Sequence, residues 1–172
     1  ITAPTALAFP YGCEVVQVRS AAEMHQTVTD QVKEASALIM AAAVADFRPL
    51  LSADEKIKKE SGFQSIGLEA TEDILKSVGL NRNNYTKLKA IVGFAAESEN
   101  LLKNARIKLQ AKNLDLIFAN DISQKDSGFE SAQNQGTLLF RDGKRKNLPL
   151  SSKSEIAAAI IEEVILIFDK FA

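Results

Sequence analysis

The 172-residue sequence contains no tryptophan, one cysteine and one histidine. A single cysteine, Cys13, excludes an intrachain disulfide and fits a reducing compartment. The same scarcity rules out a metal centre built from histidine and cysteine ligands. A Ser-His-Asp triad would have to use His25, which falls off the apolar stripe of its helix and reads as a surface residue. No apolar run is long enough to cross a bilayer, and no basic-then-apolar leader opens the chain, so the cytoplasm is the expected compartment. Twenty-one basic residues against 22 acidic ones give a net charge of −1, which offers no global attraction for nucleic acid or an anionic membrane. Glycine is sparse too, with eight in all. Gly93 and Gly128 stand alone, and neither a dinucleotide fingerprint nor a Walker-type lysine loop can be built from them.

What is present is a balanced globular composition, 46% hydrophobic and 25% charged, at a length that suits one domain over 1–172 with a sizeable core. Leu38 to Ala43, Ala90 to Ala96 and Leu114 to Ala119 read as buried strands. Between them lie amphipathic helices. Ser20 with Glu23 makes a capping box before Met24, Val28 and Val32, for a helix to about Ala35. Thr71 is placed to cap a helix carrying Ile74, Leu75 and Val78, with Glu72 and Asp73 in its first turn. Ser98 precedes a helix whose expected core face is Leu102, Ala105 and Leu109. The run from Thr137 to Leu150 reads as a hairpin around Asp142-Gly143. Ser152 with Glu155 opens a last helix with Ile156, Ile160, Val164 and Phe168 on its core stripe. Strand–helix alternation with nearly continuous apolar strands predicts an α/β fold. The sheet should be Rossmann-like, doubly wound and mostly parallel, with a C-terminal β-hairpin. The opening Ile1-Thr2-Ala3-Pro4 reads as the tail of a strand, so a strand–helix unit is expected before it.

The chain is organised around Ala41 to Lys59, AAAVADFRPLLSADEKIKK. Small residues at a strand end let a ligand approach the backbone, an acid beyond it can hold a base, ribose or metal, and nearby lysines can neutralise phosphate. In an open α/β sheet, ligands bind outside the carboxyl ends of the strands. Asp46, the lysine loop, Phe94 and the residues after Ala119 are all expected near that edge. Taken singly, each has a bland reading: tight helix–sheet packing for the alanines, a turn cap for Asp46, a solvated surface for Lys56, Lys58, Lys59, Lys108 and Lys112. Their convergence favours a nucleotide site.

AAAVADFRP, the EKIKK loop, the VGFAAES strand end, KNLDLIFANDIS and GFESAQN occur in this order in the bacterial phosphopantothenoylcysteine synthetases, which the chain resembles from about Ile1 to the last helix. This activity is often the carboxyl-terminal half of a bifunctional coenzyme A biosynthesis protein. The resemblance implies CTP-dependent ligation of 4′-phosphopantothenate to cysteine through an acyl-cytidylate, with a Mg2+ or Mn2+ ion. FMN enters only if a decarboxylase domain precedes the chain. A homodimer is implied as well. By position, Ala42, Ala43 and Asp46 would line the nucleotide pocket, and Lys56 would act from a flap on the phosphates. Glu72, Asp73, Ile74 and Leu75 would touch the base, largely through backbone groups. Phe94 would pack on the nucleotide, and Lys108 and Lys112 would hold its triphosphate. Asn120 and Asp121 would shape the strand end. No metal ligands are assigned.

Two departures from the family stand out. Thr71-Glu72-Asp73 replaces the usual Thr-Pro-Asp or Asn-Pro-Asp. The glycine- and serine-rich amino-terminal unit, whose Asn stabilises the acyl intermediate, is absent from the sequence. A short-chain nicotinamide reductase would share the sheet, but neither Tyr11 nor Tyr85 has the lysine spacing that chemistry needs. A non-catalytic regulatory relative would keep the fold, and intact Asp46, Lys56, Lys108 and Lys112 argue against that reading.

Overall fold

The computed structural model describes residues 1–51, 55, 58, 65–97, 99–121 and 133–170. In chain order its elements are α1 (Ala21–Gln31), β1 (Ala37–Met40), β2 (Phe47–Pro49), β3 (Leu68–Ala70), α2 (Ile74–Leu80), a 3-10 turn (Arg82–Asn84), β4 (Ala90–Glu97), α3 (Leu101–Ala111), β5 (Leu116–Asp121), β6 (Gln133–Phe140), β7 (Arg145–Ser152) and α4 (Lys153–Asp169). They fall into two compact units, Ile1–Val28 with Ala42–Asp73, and Thr29–Ala41 with Ile74–Ala172.

The larger unit holds a five-stranded sheet in the order β1-β4-β5-β6-β7. The first three strands are parallel; β6 and β7 turn back as an antiparallel hairpin. This is the α/β, Rossmann-like arrangement that the strand–helix alternation predicts, with the hairpin at Asp142-Gly143, where Gly143 takes φ 91°. On one face, Val92, Leu116, Phe118 and Leu138 pack with Ile156, Ile160 and Val164 of α4 into a single apolar cluster. Each such side chain contributes about 1.5–3 kcal/mol on burial. The other face carries α2 and α3, whose ends are tied by a hydrogen bond from Asn113 Nδ2 to the Gly79 carbonyl at 2.8 Å. Gly79 is obligatory there, because a Cβ would land on the Lys112 carbonyl oxygen.

Charge is concentrated at the start of β5. Asp115 Oδ2 accepts from Arg82 Nη1 at 2.6 Å and from the Ile91 N–H at 2.8 Å, while Arg141 Nε lies 3.3 Å from its other oxygen. Arg82 also donates to the Lys89 carbonyl at 2.5 Å. One carboxylate therefore fastens the 3-10 turn, β4 and the end of β6. At the opposite margin Lys146 of β7 meets Glu163 of α4 at 2.8 Å, and that hydrogen bond raises the lysine's pKa above its ordinary value. The capping box of α4 forms as its sequence predicts. Glu155 N–H donates to Ser152 Oγ, and Ser152 N–H and Oγ both donate to Glu155 Oε2. These bonds hold the Glu155 carboxyl below the usual glutamate value.

The smaller unit contains a two-stranded antiparallel ladder, β2 with β3, and a parallel bridge between Thr2 and Gln17.

Several local expectations are corrected. β1 ends at Met40, before the alanine run, and is half-buried rather than buried, since it pairs only with β4 among the described residues. α1 stops at Gln31 rather than Ala35. Its Ser20 accepts from Glu23 N–H, but the Glu23 carboxylate reaches back to Arg19 N–H instead of Ser20. Phe47-Arg48-Pro49 is a strand that the proline disguised; Pro49 is tolerated because it closes the end of an isolated ladder. Thr71 is not a helix cap. Its N–H donates to the Asp46 carbonyl and its hydroxyl to the Ala45 carbonyl, so it closes the β2–β3 ladder, and α2 begins only at Ile74. Glu72 and Asp73 therefore precede the helix instead of forming its first turn. Leu102 is 39% exposed, leaving Ala105 and Leu109 as the buried face of α3. The residue before α3 is Asn100, in the left-handed region at φ 50°; Ser98 lies outside the described residues.

Candidate functional site

The expected site residues divide between the two units, and each group has its own local geometry. In the smaller unit, Ala42, Ala43 and Asp46 are exposed in the non-regular segment after β1. The Asp46 carbonyl accepts from Thr71 N–H at 2.9 Å, which places the Asp46 backbone directly beside the 71–73 segment. The ladder thus brings Asp46, Glu72 and Asp73 to one end of β2–β3, with all three exposed. Further along the ladder Arg48 Nε meets Glu69 Oε1 at 2.7 Å. Of the lysine loop, Lys58 is described and exposed; Lys56 and Lys59 lie outside the described residues.

In the larger unit, Ile74 and Leu75 open α2 with side chains only 3% and 8% exposed. They are core residues, so any recognition through them must use backbone groups. The Leu75 methyl lies 3.2 Å from where a Cβ on Gly93 would stand, and Leu114 comes closer still, so a larger residue at 93 would push both away. Phe94, the next residue of β4, points to the opposite face. It is half-buried against the α4 cluster and meets Phe118 edge-on, ring centroids 5.8 Å apart at 65°. Lys108 and Lys112 are half-buried at the end of α3, one turn apart, with Lys112 N–H donating to the Lys108 carbonyl at 3.0 Å. The contact of Gly79 with the Lys112 carbonyl sets α2 against this lysine-bearing turn. The structure therefore gathers Ile74, Leu75, Lys108 and Lys112 around α2 and α3, while Phe94 serves the other face of the sheet.

Sequence reasoning gave Asn120 only a shaping role. The structure places it at the carboxyl end of β5, in register with Ala96, and its Oδ1 is buried without a hydrogen-bond partner among the described residues. The available signal was a polar residue closing the apolar run Leu116-Ile117-Phe118-Ala119. No group of three or more His, Cys, Asp or Glu among the described residues is placed to hold a resident metal. A divalent cation would fit as the companion of a nucleotide, taking most of its ligands from phosphate and water. Among the described residues no helix is long and apolar enough to cross a membrane.

These features define a Rossmann-like α/β protein with polar and cationic groups set around its α2–α3 helices and at its strand ends. The model of the DNA/pantothenate metabolism flavoprotein C-terminal domain matches residues 1–167, and the chain belongs to that family. It is 40% identical over 165 residues to the coenzyme A biosynthesis bifunctional protein CoaBC of Bacillus subtilis, covering 95% of this chain and 40% of that protein. Against the CoaBC of Escherichia coli K12 the identity is 36% over 173 residues, covering 99% of this chain and 42% of the relative. The chain thus spans about two fifths of these relatives. The crystal structure of a CoaBC C-terminal domain superposes with a TM-score of 0.79 at 33% identity, covering 98% of this chain and 72% of that one. A Cab2 variant solved in complex with phosphopantothenate-cysteine shares the fold, with a TM-score of 0.63 at 19% identity over 90% of this chain and 52% of that one.

Proposed function

We propose that the chain is the phosphopantothenate–cysteine ligase part of a coenzyme A biosynthesis enzyme and that it uses CTP. The observation that carries this reading is the match to CoaBC over nearly the whole chain, joined to the ordered motifs that supply Asp46, Lys56, Phe94, Lys108 and Lys112. In the reaction, a carboxylate oxygen of 4′-phosphopantothenate attacks the α-phosphorus of CTP. The new P–O bond forms as the bond to pyrophosphate breaks, giving an acyl-cytidylate. The amine of cysteine then attacks the activated carbonyl, CMP leaves with the bonding electron pair, and the amine loses a proton.

The residues divide this work. Asp46, with Ala42 and Ala43, meets the nucleotide. The 72–75 segment offers backbone groups to the base, in keeping with the burial of the Ile74 and Leu75 side chains. Phe94 packs on the nucleotide. Lys108 and Lys112 neutralise phosphate, where charge develops as pyrophosphate departs. Lys56 engages the phosphates during activation, from a segment that keeps water from the acyl-cytidylate. Mg2+ or Mn2+ accompanies the triphosphate. The expected setting is cytoplasmic and homodimeric, and FMN belongs only to a fused decarboxylase domain.

The test is product formation followed by mass spectrometry with CTP, phosphopantothenate and cysteine. Lys56→Gln should lower turnover by roughly 10²-fold, the scale expected for losing one preorganised electrostatic group. Lys58→Gln and Lys59→Gln should do less. Equal and mild effects from all three would show that the lysine run is only a solvated surface.

A further inference from the structure

Phe94 of β4 and Phe118 of β5 stand side by side, in register across the parallel pair and on one face of the sheet. Their surroundings differ. Phe118 is 1% exposed, inside the cluster that β4, β5 and β6 form with α4, and is closed to any ligand. Phe94 is only half-buried at the margin of that cluster, so part of its ring stays open. The two rings meet edge to face, with centroids 5.8 Å apart and planes at 65°. In this arrangement the positive edge of one ring meets the negative face of the other, which favours one mutual orientation over the rest.

Phe118 is itself fixed from the β6 side. Leu138 pairs with it across β5–β6, and Gly136, two residues along β6, lies on the same face. A Cβ on Gly136 would come within 2.7 Å of Phe118 Cζ and 2.8 Å of Cε2, and would also strike the Ala119 carbonyl oxygen. The bare backbone at 136 is the notch that admits the ring. Seated there, and packed into the α4 cluster, the Phe118 ring has little room to turn. Phe94 has no such enclosure, and the terminal torsion of a phenylalanine is a broad one. Its ring plane therefore depends on the neighbour it leans against.

We propose that Phe118 is a positioning residue for nucleotide binding: held in the Gly136 notch, it sets the plane of the Phe94 ring against which the nucleotide packs. This rests on the ligase reading above, in which Phe94 meets the nucleotide, and extends it to a residue that touches no substrate. An aromatic surface already oriented loses less freedom when the nucleotide arrives, so the contact favours binding more strongly. Without the Phe118 ring, Phe94 keeps its place on β4 but not its fixed plane.

The test is a double-mutant cycle on the CTP dissociation constant, made in the full-length protein with Phe118→Leu, Phe94→Ala and the pair together. Phe118→Leu keeps an apolar side chain and removes the ring. It should weaken CTP roughly three- to tenfold, the scale of one oriented aromatic contact. In the Phe94→Ala background the same change should alter CTP binding by less than about twofold, because the ring it steers is gone. A merely structural role would lower the unfolding temperature in both backgrounds without this dependence on Phe94. Equal losses of CTP affinity with and without Phe94, or no loss in either, would overturn the proposal. Should Phe118→Leu fail to fold, Phe118→Met fills the site with a flexible apolar chain and gives the same readings. Phe94→Ala that leaves CTP binding unchanged would remove Phe94 from the nucleotide site and this role of Phe118 with it. Wild-type protein that neither binds CTP nor makes product would refute the ligase reading itself, an outcome separate from failure of the Phe118 assignment.

Discussion

In the five-stranded sheet, Ala90, Ile91, Val92, Leu116 and Leu138 are fully shielded from solvent, whereas in the β2–β3 ladder Phe47 and Leu68 each leave 60% of their surface exposed. The two regions are held by different forces. Burial dominates the sheet: α4 covers one face and α2 with α3 the other, and glycines at 79 and 136 let backbone and ring approach where a methyl would clash. Among the described residues the ladder relies on three residue pairs, the Leu50 N–H bond to the Gly67 carbonyl, the Thr71 bonds to Ala45 and Asp46, and the Arg48–Glu69 pair. Regions with few buried contacts open locally at low cost. The proposed contacts are split along the same line, with Asp46, Glu72 and Asp73 on the lightly held part and Phe94, Lys108 and Lys112 on the firmly held part.

This contrast can be broken most severely at Phe118, the largest of the fully buried side chains among the described residues. Phe118→Ala should cost about 3–5 kcal/mol, the range for deleting a buried aromatic side chain. Denaturant titration would show the midpoint fall, and a loss under about 1 kcal/mol would mean that the α4 face is not the main source of stability.

A smaller effect is expected at the start of α4. Ser152→Ala removes the cap and should cost about 1 kcal/mol at neutral pH. The sign of its pH dependence follows from Glu155, whose folded value is lowered by the Ser152 bonds. That stabilisation is present above the ordinary glutamate pKa of roughly 4.3 and is lost as pH falls through the lowered folded value. The gap between the melting curves of wild type and variant should therefore narrow as pH falls through the lowered Glu155 value, down to what the Glu155 N–H to Ser152 Oγ bond alone contributes, and a constant gap down to acid would exclude the carboxylate from the cap.

The mildest change belongs to the ladder. Arg48 and Glu69 are 56% and 38% exposed, so Arg48→Ala should shift stability by no more than about 1 kcal/mol and lose even that in high salt. A larger, salt-insensitive loss would show that the ladder depends on this pair far more than its exposure implies.

The sequence made the buried parts legible because their signals are periodic. The apolar runs at 90–96 and 114–119, the Ser152–Glu155 box and the Ile156-Ile160-Val164 stripe all appear as elements in the structure. Signals that depend on partners distant in sequence were not legible. Thr71 looks like a helix cap until Ala45 and Asp46 take its donors, and Phe47-Arg48-Pro49 has no strand signature without Leu68–Ala70 beside it. The alanine run suggested a longer buried β1, because small residues score as apolar in sequence although they lie exposed beyond Met40. Of the candidate site, the residue types could be read in order along the chain. That Phe94 and the Lys108–Lys112 turn serve opposite faces of the sheet could not, since strand alternation fixes a face only once the covering helices are known. The buried Asn120 oxygen, without a partner among the described residues, is a fact of packing and has no counterpart in sequence pattern.

Activation of the acyl group by CTP is tested most directly by isotope transfer. Phosphopantothenate labelled with 18O in its carboxylate is turned over with CTP and cysteine, and the nucleotide product is analysed by mass spectrometry. Attack of the carboxylate on the α-phosphorus predicts one 18O atom in CMP and none in pyrophosphate. Label in pyrophosphate or inorganic phosphate, or product formed with unlabelled CMP, would contradict the acyl-cytidylate.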